Sequence, residues 1–290
     1  MILQERDINI LKSVFRYKYL NTDQIHKLFF DGKSRTAMYH VLKRLSVLNL
    51  VNQVTLPRTP NLSMGNILYI TRRGALVIAD ESRSTLEEIG FRKIIKPISS
   101  INHYYHRKKE IDFLIKLDEE LLSLPLKLKA FATDGERERR NKKQVVKTHI
   151  STTDEEYTLV PDVYFVLQSE LNPEKEKLFF VEIDTGKETI GGKDLYVSPS
   201  SLMHKYISYE KILVDGKWKD NMNTSAEVFE VLTVTEKDSH IQGIKNKAGN
   251  FIKWKHLFLF TTHSSVEKDG VLVNKNWTSL KMENKMQKLV

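Results

Sequence analysis

The 290-residue chain contains no cysteine. That absence excludes disulfides, thiolate nucleophiles, zinc ribbons and iron–sulfur clusters together. No run of 18 or more apolar residues occurs, which excludes a membrane-spanning helix of ordinary length. Glu5 and Arg6 interrupt the apolar opening, so no secretory hydrophobic core forms there and a cytoplasmic protein is expected. There is no internal repeat and no P-loop, and Gly191-Gly192 lacks the spacing of a dinucleotide fingerprint; nucleotide hydrolysis is not expected. What is present is a globular composition, 40% hydrophobic and 29% charged, in a chain long enough for one large or two ordinary domains.

Charge divides the chain near residue 100. Residues 1–100 carry 16 basic and 8 acidic side chains, a net +8, while the remainder carries 30 against 29, a net +1. A positive field concentrated on the N-terminal third suits a nucleic-acid-binding module, although basic domains serve other functions as well.

Helical spacing recurs three times in that third. Ile8, Leu11, Val14 and Phe15 follow Asp7, and Thr22 is placed as the N-cap ahead of Ile25, Leu28 and Phe29. Ser34 then caps a helix with Met38, Val41, Leu42, Leu45 and Leu48 on one stripe and Arg35, Thr36, Tyr39, His40, Lys43 and Arg44 on the other. Residues 50–55 alternate like a strand, 57–65 form a turn-rich loop, and 67–70 return. Three helices and a hairpin are the order of a winged helix. Its third helix can enter a major groove, where Arg35 reads guanine and Lys43 meets phosphate, with Arg58 of the loop following the adjacent backbone. A winged helix used only for protein contacts is the bland alternative. Thr71 caps one more helix, and residues 81–100 form a connection.

The remaining chain reads as a helix over 103–122, strands over 126–132, 157–167 and 177–183, a helix opened by Pro199 and Ser200 that runs to about 213, and strands over 228–234 and 257–261. Pro161-Asp162 falls inside the second of these strands, and Glu182-Ile183-Asp184 ends the third. Carboxylates on neighbouring strands converge at one sheet edge in this reading, and such oxygen ligands suit magnesium or manganese. Lys205, one turn before Tyr209, offsets negative charge there. Solvated strand-end acids are the plainer reading. His103 and His106 with Glu110 share one helix side; a transition metal is conceivable there, and a polar helix face is the commoner outcome. Glu136 and Glu138 are alternative acids in a charged loop whose Arg137, Arg139, Arg140, Lys142 and Lys143 can contact a DNA backbone.

This order resembles the PD-(D/E)xK nuclease superfamily over residues 102–235. The resemblance implies an αβββαβ domain in which Glu110 is the helical acid, Asp162 the PD acid and Glu182 the first residue of the third motif, with Asp162 and Glu182 as ligands of magnesium or manganese. Asp184 stands where the superfamily has lysine, so either Lys205 or Lys187 substitutes or the domain is inactive. Over nearly the whole chain, residues 6–11, 68–71, Gly74, His103, 135–138, 160–162, 180–186, the Lys205–Tyr209 helix and 257–261 resemble the replication-relaxation family of bacterial plasmids and other mobile elements. That resemblance implies a DNA-binding protein in replication, relaxation, mobilisation or their regulation.

The expected class is therefore α/β, more narrowly α+β, with a winged helix over 1–100, a nuclease-like domain over 101–263 and a peripheral tail over 264–290 holding at most a short strand and helix. Three functions compete: a double-stranded-DNA-binding regulator on a disarmed nuclease fold, a metal-dependent nicking enzyme, and an adaptor that recruits a relaxase or replication protein. A two-fold homodimer is the expected assembly, since paired half-sites match dimeric readers.

Overall fold

The computed structural model describes residues 3–57, 65–92, 98, 100–133, 148–151, 156–186, 190, 201–216, 218–222, 224–281 and 285–290. It is an α+β chain with two compact units, Met1–Ile111 and Asp112–Val290.

The first unit runs α1 (Glu5–Tyr17), β1 (Leu20–Asn21), α2 (Thr22–Phe29), α3 (Arg35–Val47), β2 (Val51–Thr55), β3 (Asn66–Ile70) and α4 (Arg72–Glu81). In α1 the inward line is Asp7, Ile10, Leu11, Val14 and Tyr17, with Ile8 and Phe15 only half-buried. Gln4 caps this helix and Asp7 answers it, accepting from the Gln4 N–H at 2.9 Å. Asn21, rather than Thr22, caps α2. Its Oδ1 accepts from Gln24 N–H at 2.8 Å, and Gln24 Oε1 accepts from Asn21 N–H at 3.0 Å. Ser34 caps α3 as expected, and that helix buries Met38, Val41, Leu42 and Leu45. The sheet order is β1-β3-β2, antiparallel throughout, with Val51 opposite Ile70. Gly74 of α4 lies so close to the β2 approach that a Cβ there would sit 2.1 Å from the Leu50 carbonyl oxygen. Only glycine fits at that crossing.

Helix α5 (Ile101–Leu121) leads into the second unit. There β4 (Leu126–Thr133), β5 (Thr148–Ser151), β6 (Glu156–Leu159), β7 (Val163–Ser169) and β8 (Glu176–Asp184) precede α6 (Leu202–Asp215) and α7 (Trp218–Met222). The chain continues with β9 (Phe229–Thr235), α8 (Asp238–Ala248), β10 (Phe258–Thr262), α9 (His263–Asp269), β11 (Trp277–Ser279) and β12 (Met286–Gln287). Seven strands share one sheet in the order β12-β11-β10-β9-β8-β7-β4, with β8, β9 and β10 parallel and the other pairs antiparallel.

Central β8 is covered on both faces, which explains its unbroken apolar run from Leu178 to Val181. Phe179 stacks on Phe165, which meets Phe113 of α5; Phe180, one residue on, meets Tyr209 of α6 and Phe229. The two-residue period therefore sends Phe180, Glu182 and Asp184 to the α6 side.

Three expectations change. The strand expected over 157–167 is two strands, because Pro161 has no N–H for a ladder: β6 pairs with β5 in a separate hairpin and β7 starts afresh at Val163. Pro161-Asp162 is thus the break between strands and not a strand interior. Helix α8 stands between the strands expected over 228–234 and 257–261, where no element was assigned. The described part of residues 264–290 holds all but the first residue of α9, strand β11 and edge strand β12, with Trp277 buried and its Nε1–H donating to the Val271 carbonyl at 2.7 Å.

Candidate functional site

In the first unit, the outer side of α3 presents Arg35, Thr36, Tyr39, His40 and Lys43, all exposed. Two of the expected DNA-contacting arginines have partners within the unit. Arg35 Nη1–H donates to Asp23 Oδ1 at 2.7 Å on the surface. Arg44 Nη2 donates to both oxygens of fully buried Asp7, at 2.7 and 2.6 Å, and so ties α3 to α1. Arg58 lies outside the described residues.

Glu110 belongs to the first unit, buried on α5. Its carboxylate accepts from the Arg107 guanidinium and lies 3.3 Å from His106 Nε2; His103 is exposed.

The second unit gathers Asp162, Glu182, Asp184 and Lys205 at the C-terminal end of β8. Register does part of the work: Val163 faces Val181, so Asp162 at the mouth of β7 continues opposite Glu182. Asp162 Oδ2 accepts from the Ile183 N–H at 2.7 Å. Glu182 is fully buried; Oε2 accepts from Lys205 Nζ at 2.7 Å and Oε1 from the Tyr209 hydroxyl at 2.5 Å. Lys205 and Tyr209 reach one carboxylate because four residues on a helix return to the same side. Ser201 caps that helix, its Oγ accepting from His204 N–H. Behind them, the Tyr206 hydroxyl and Thr233 Oγ1 share a hydrogen bond of 2.9 Å.

Asp184 is also fully buried. Its Oδ1 accepts from the Gly186 N–H at 2.8 Å, in a turn whose positive φ at Gly186 (74°) suits glycine. Its Oδ2 lies 2.6 Å from His240 Nδ1, close but without hydrogen-bond alignment. Burial holds the Asp184 carboxyl above the ordinary Asp value, against the opposing pull of the Gly186 N–H, His240 and Lys205. Burial, reinforced by the Glu182 carboxylate, pushes the Tyr209 phenol well above its usual range, so it stays a donor.

His240, in the first turn of α8, was not singled out from the sequence. Nothing in a lone histidine after Asp238 announces a partner 56 residues upstream. Both Glu182 oxygens are committed to Lys205 and Tyr209, and among the described residues no three His, Asp or Glu side chains converge as a metal-ligand group. Glu136, Glu138, the basic loop residues Arg137, Arg139, Arg140, Lys142 and Lys143, Lys187, Pro199 and Ser200 lie outside the described residues.

An α3 with an exposed polar and basic face in one unit, and a sealed carboxylate–lysine–tyrosine cluster on a mixed sheet in the other, define a two-unit α+β protein. The chain belongs to the replication-relaxation family, whose model matches residues 11–228 and stops one residue short of β9. No curated protein and no solved structure matches the chain. Membership associates the chain with plasmid or mobile-element replication or relaxation. Among the described residues no helix is long and apolar enough to cross a membrane.

Proposed function

We propose that the protein binds double-stranded DNA of its own plasmid, phage or other mobile element through α3 and regulates its replication, relaxation or mobilisation, with the second unit a nuclease-like fold that no longer cleaves. The observation that carries this reading is the outer face of α3, where Thr36, Tyr39, His40 and Lys43 stand exposed on a capped helix beside a β-hairpin, in the segment that holds a net +8 of the chain's +9. Those are the ingredients of a winged helix with a recognition helix.

Loss of cleavage is supported by Asp184 in the place of the superfamily lysine, and by Lys205 and Tyr209 closing over Glu182. The ammonium that would neutralise a scissile phosphate is instead spent on a buried carboxylate.

Supercoiled plasmid carrying the protein's own element tests both halves. It should be retarded but uncut with magnesium, manganese or chelator, and retardation should weaken steeply as salt rises. Metal-dependent nicking that disappears in Asp162→Ala would replace this reading with a nicking enzyme. Retardation unchanged in a Tyr39→Ala/Lys43→Ala variant would remove α3 from the interface.

A further inference from the structure

We propose that the loop between α8 and β10 is a second nucleic-acid surface that binds single-stranded DNA, with Phe251 and Trp254 as stacking platforms and Lys253 and Lys255 supplying positive charge between and beside them. This inference does not rest on duplex binding through α3.

The sequence Phe251-Ile252-Lys253-Trp254-Lys255-His256 alternates aromatic or apolar residues with cations. Phe251 and Trp254 are 47% and 46% exposed, although aromatic rings of that size are normally driven into the interior. The loop that holds them out is firmly built. The N–H groups of Phe251 and Ile252 both donate to the Ala248 carbonyl at 3.0 Å, and Leu257 N–H donates to Trp254 O at 3.0 Å. Glu210 of α6 spends one carboxylate oxygen on the N–H groups of Lys253 and Trp254, at 2.6 and 2.8 Å. Ile252 and Leu257 anchor the loop in the core. Preorganised rings lose little freedom when a flat ligand lands on them.

Charge selects the ligand. Residues 239–266 contain four lysines and neither aspartate nor glutamate. Among the described residues no ion pair is formed by Lys253 or Lys255. His256 stands beside Trp254, with ring centroids 6.1 Å apart. Exposed π-faces alternating with cations match a chain of flat bases on a phosphate backbone; stacking is sequence-tolerant and lysine tracks phosphate. Paired bases present no free face, so the ligand is unpaired. Replication and relaxation both open duplex DNA, which selects DNA over RNA.

Register places the surface. β10 starts at Phe258, level with Val231 and Phe180, and ends at Thr262, level with Thr235 and Asp184. The loop therefore enters the sheet at the end opposite the Glu182–Asp184 cluster, and it lies beyond residue 228, where the family match stops.

Tryptophan emission gives a direct test, because Trp254 is the exposed one of three tryptophans and Trp218 and Trp277 are buried. A 20-nucleotide oligo(dT) added to the full-length protein should quench that emission. Phe251→Ala/Trp254→Ala, which removes both platforms, should lose about 30-fold or more in affinity for the fluorescein-labelled oligonucleotide, read by anisotropy. Trp254→Phe should keep the affinity within about threefold and lose the quenching, since the ring still stacks. Lys253→Glu/Lys255→Glu, at one exposed and one half-buried position, should lower affinity and reduce the salt slope by about 1.4. Equal affinity in the double-alanine and wild-type proteins, saturable binding without quenching, or tighter binding of oligo(U) than of oligo(dT) would each overturn the proposal. So would loss of self-association, and not of oligonucleotide binding, in the double-alanine protein. A Lys43→Ala control separates the two surfaces: it tests duplex binding and should leave oligo(dT) binding intact.

Discussion

Lys205→Met should destabilise the second unit by about 3 kcal/mol, and Glu182→Gln should recover most of that loss in the double variant. The cost follows from the surroundings of Glu182: it is fully buried, and its two oxygens have Lys205 and Tyr209 as donors. Removing the lysine leaves a carboxylate in the interior without its cation, the Tyr209 phenol still donating to it. Breaking one half of a buried pair costs about 3–5 kcal/mol, and the Lys205 side chain is 15% exposed, which favours the lower end. The neutral amide needs no cation, and methionine fills the lysine stem's volume, so the double variant should show a coupling of about 2 kcal/mol. Urea unfolding followed by tryptophan emission isolates this unit, since Trp218, Trp254 and Trp277 all lie within it. With a slope of about 2 kcal/mol per molar urea, the Lys205→Met midpoint should fall by about 1.5 M. A fall worth less than about 1 kcal/mol, with additive single and double variants, would show that Glu182 reaches water or another cation and would refute the sealed-cluster reasoning.

Arg44→Ala should cost the first unit about 2 kcal/mol, because buried Asp7 loses its cation, while Arg44 at 38% exposure was already partly screened. Lys43→Ala, one residue away and exposed, should leave circular-dichroism melts unchanged and weaken DNA binding alike for all sequences. Gly74→Ala should destabilise the same unit by on the order of 3 kcal/mol, since its methyl meets the Leu50 carbonyl at 2.1 Å; the tryptophan-reported transition of the second unit should not move. Glu176 predicts an acid limb. Burial opposes its ionisation most, but Lys129, the Ser225 N–H and the Thr224 hydroxyl together hold its carboxyl at about 2 against an ordinary 4.5. Its stabilisation is complete above about pH 4.5 and is lost as pH falls toward 2, so Glu176→Gln should flatten urea midpoints across that window by on the order of 1–2 kcal/mol.

What the sequence disclosed followed hydrophobic period and cap chemistry. α3 was legible because Ser34 stands one residue ahead of a regular apolar stripe that buries Met38, Val41, Leu42 and Leu45. α1 was legible as a helix but turned on its axis, since its buried line begins with a charged residue, Asp7, satisfied by Arg44 from 37 residues away. α8 escaped notice for the same kind of reason. Its inward face is Ile241, Ile244, Lys245 and Ala248, and Lys245 makes the stripe look polar. Burial lowers the Lys245 pKa, and its Nζ donates to Thr278 Oγ1 at 2.6 Å. Thr278 lies on β11, a strand of three residues between β10 and edge strand β12, too short to show alternation. Long-range satisfaction of a buried polar group leaves no trace in local spacing.

The carboxylate cluster was legible to the extent that strand and helix periods create it. Glu182 and Asp184 share a sheet side because two residues separate them, and Lys205 and Tyr209 share a helix side because four do. Neither period says whether the cluster opens to solvent or is sealed, and function turns on that difference. Sealing depends on residues outside the motif: α8 carries His240 to Asp184, and Phe180 and Phe229 wall Tyr209 at ring separations of 5.5 and 6.1 Å, with Trp218 packed on Phe229 at 5.2 Å. Once those rings exclude water, each carboxylate must be answered inside the protein, and Lys205, Tyr209, the Ile183 N–H and the Gly186 N–H do so. With Glu182 answered by Lys205 and Tyr209, the lysine of this cluster has little left to offer a phosphate. Among the described residues, exposed cations and rings stand together on α3 and on the loop from Phe251 to His256, the two surfaces proposed for nucleic acid.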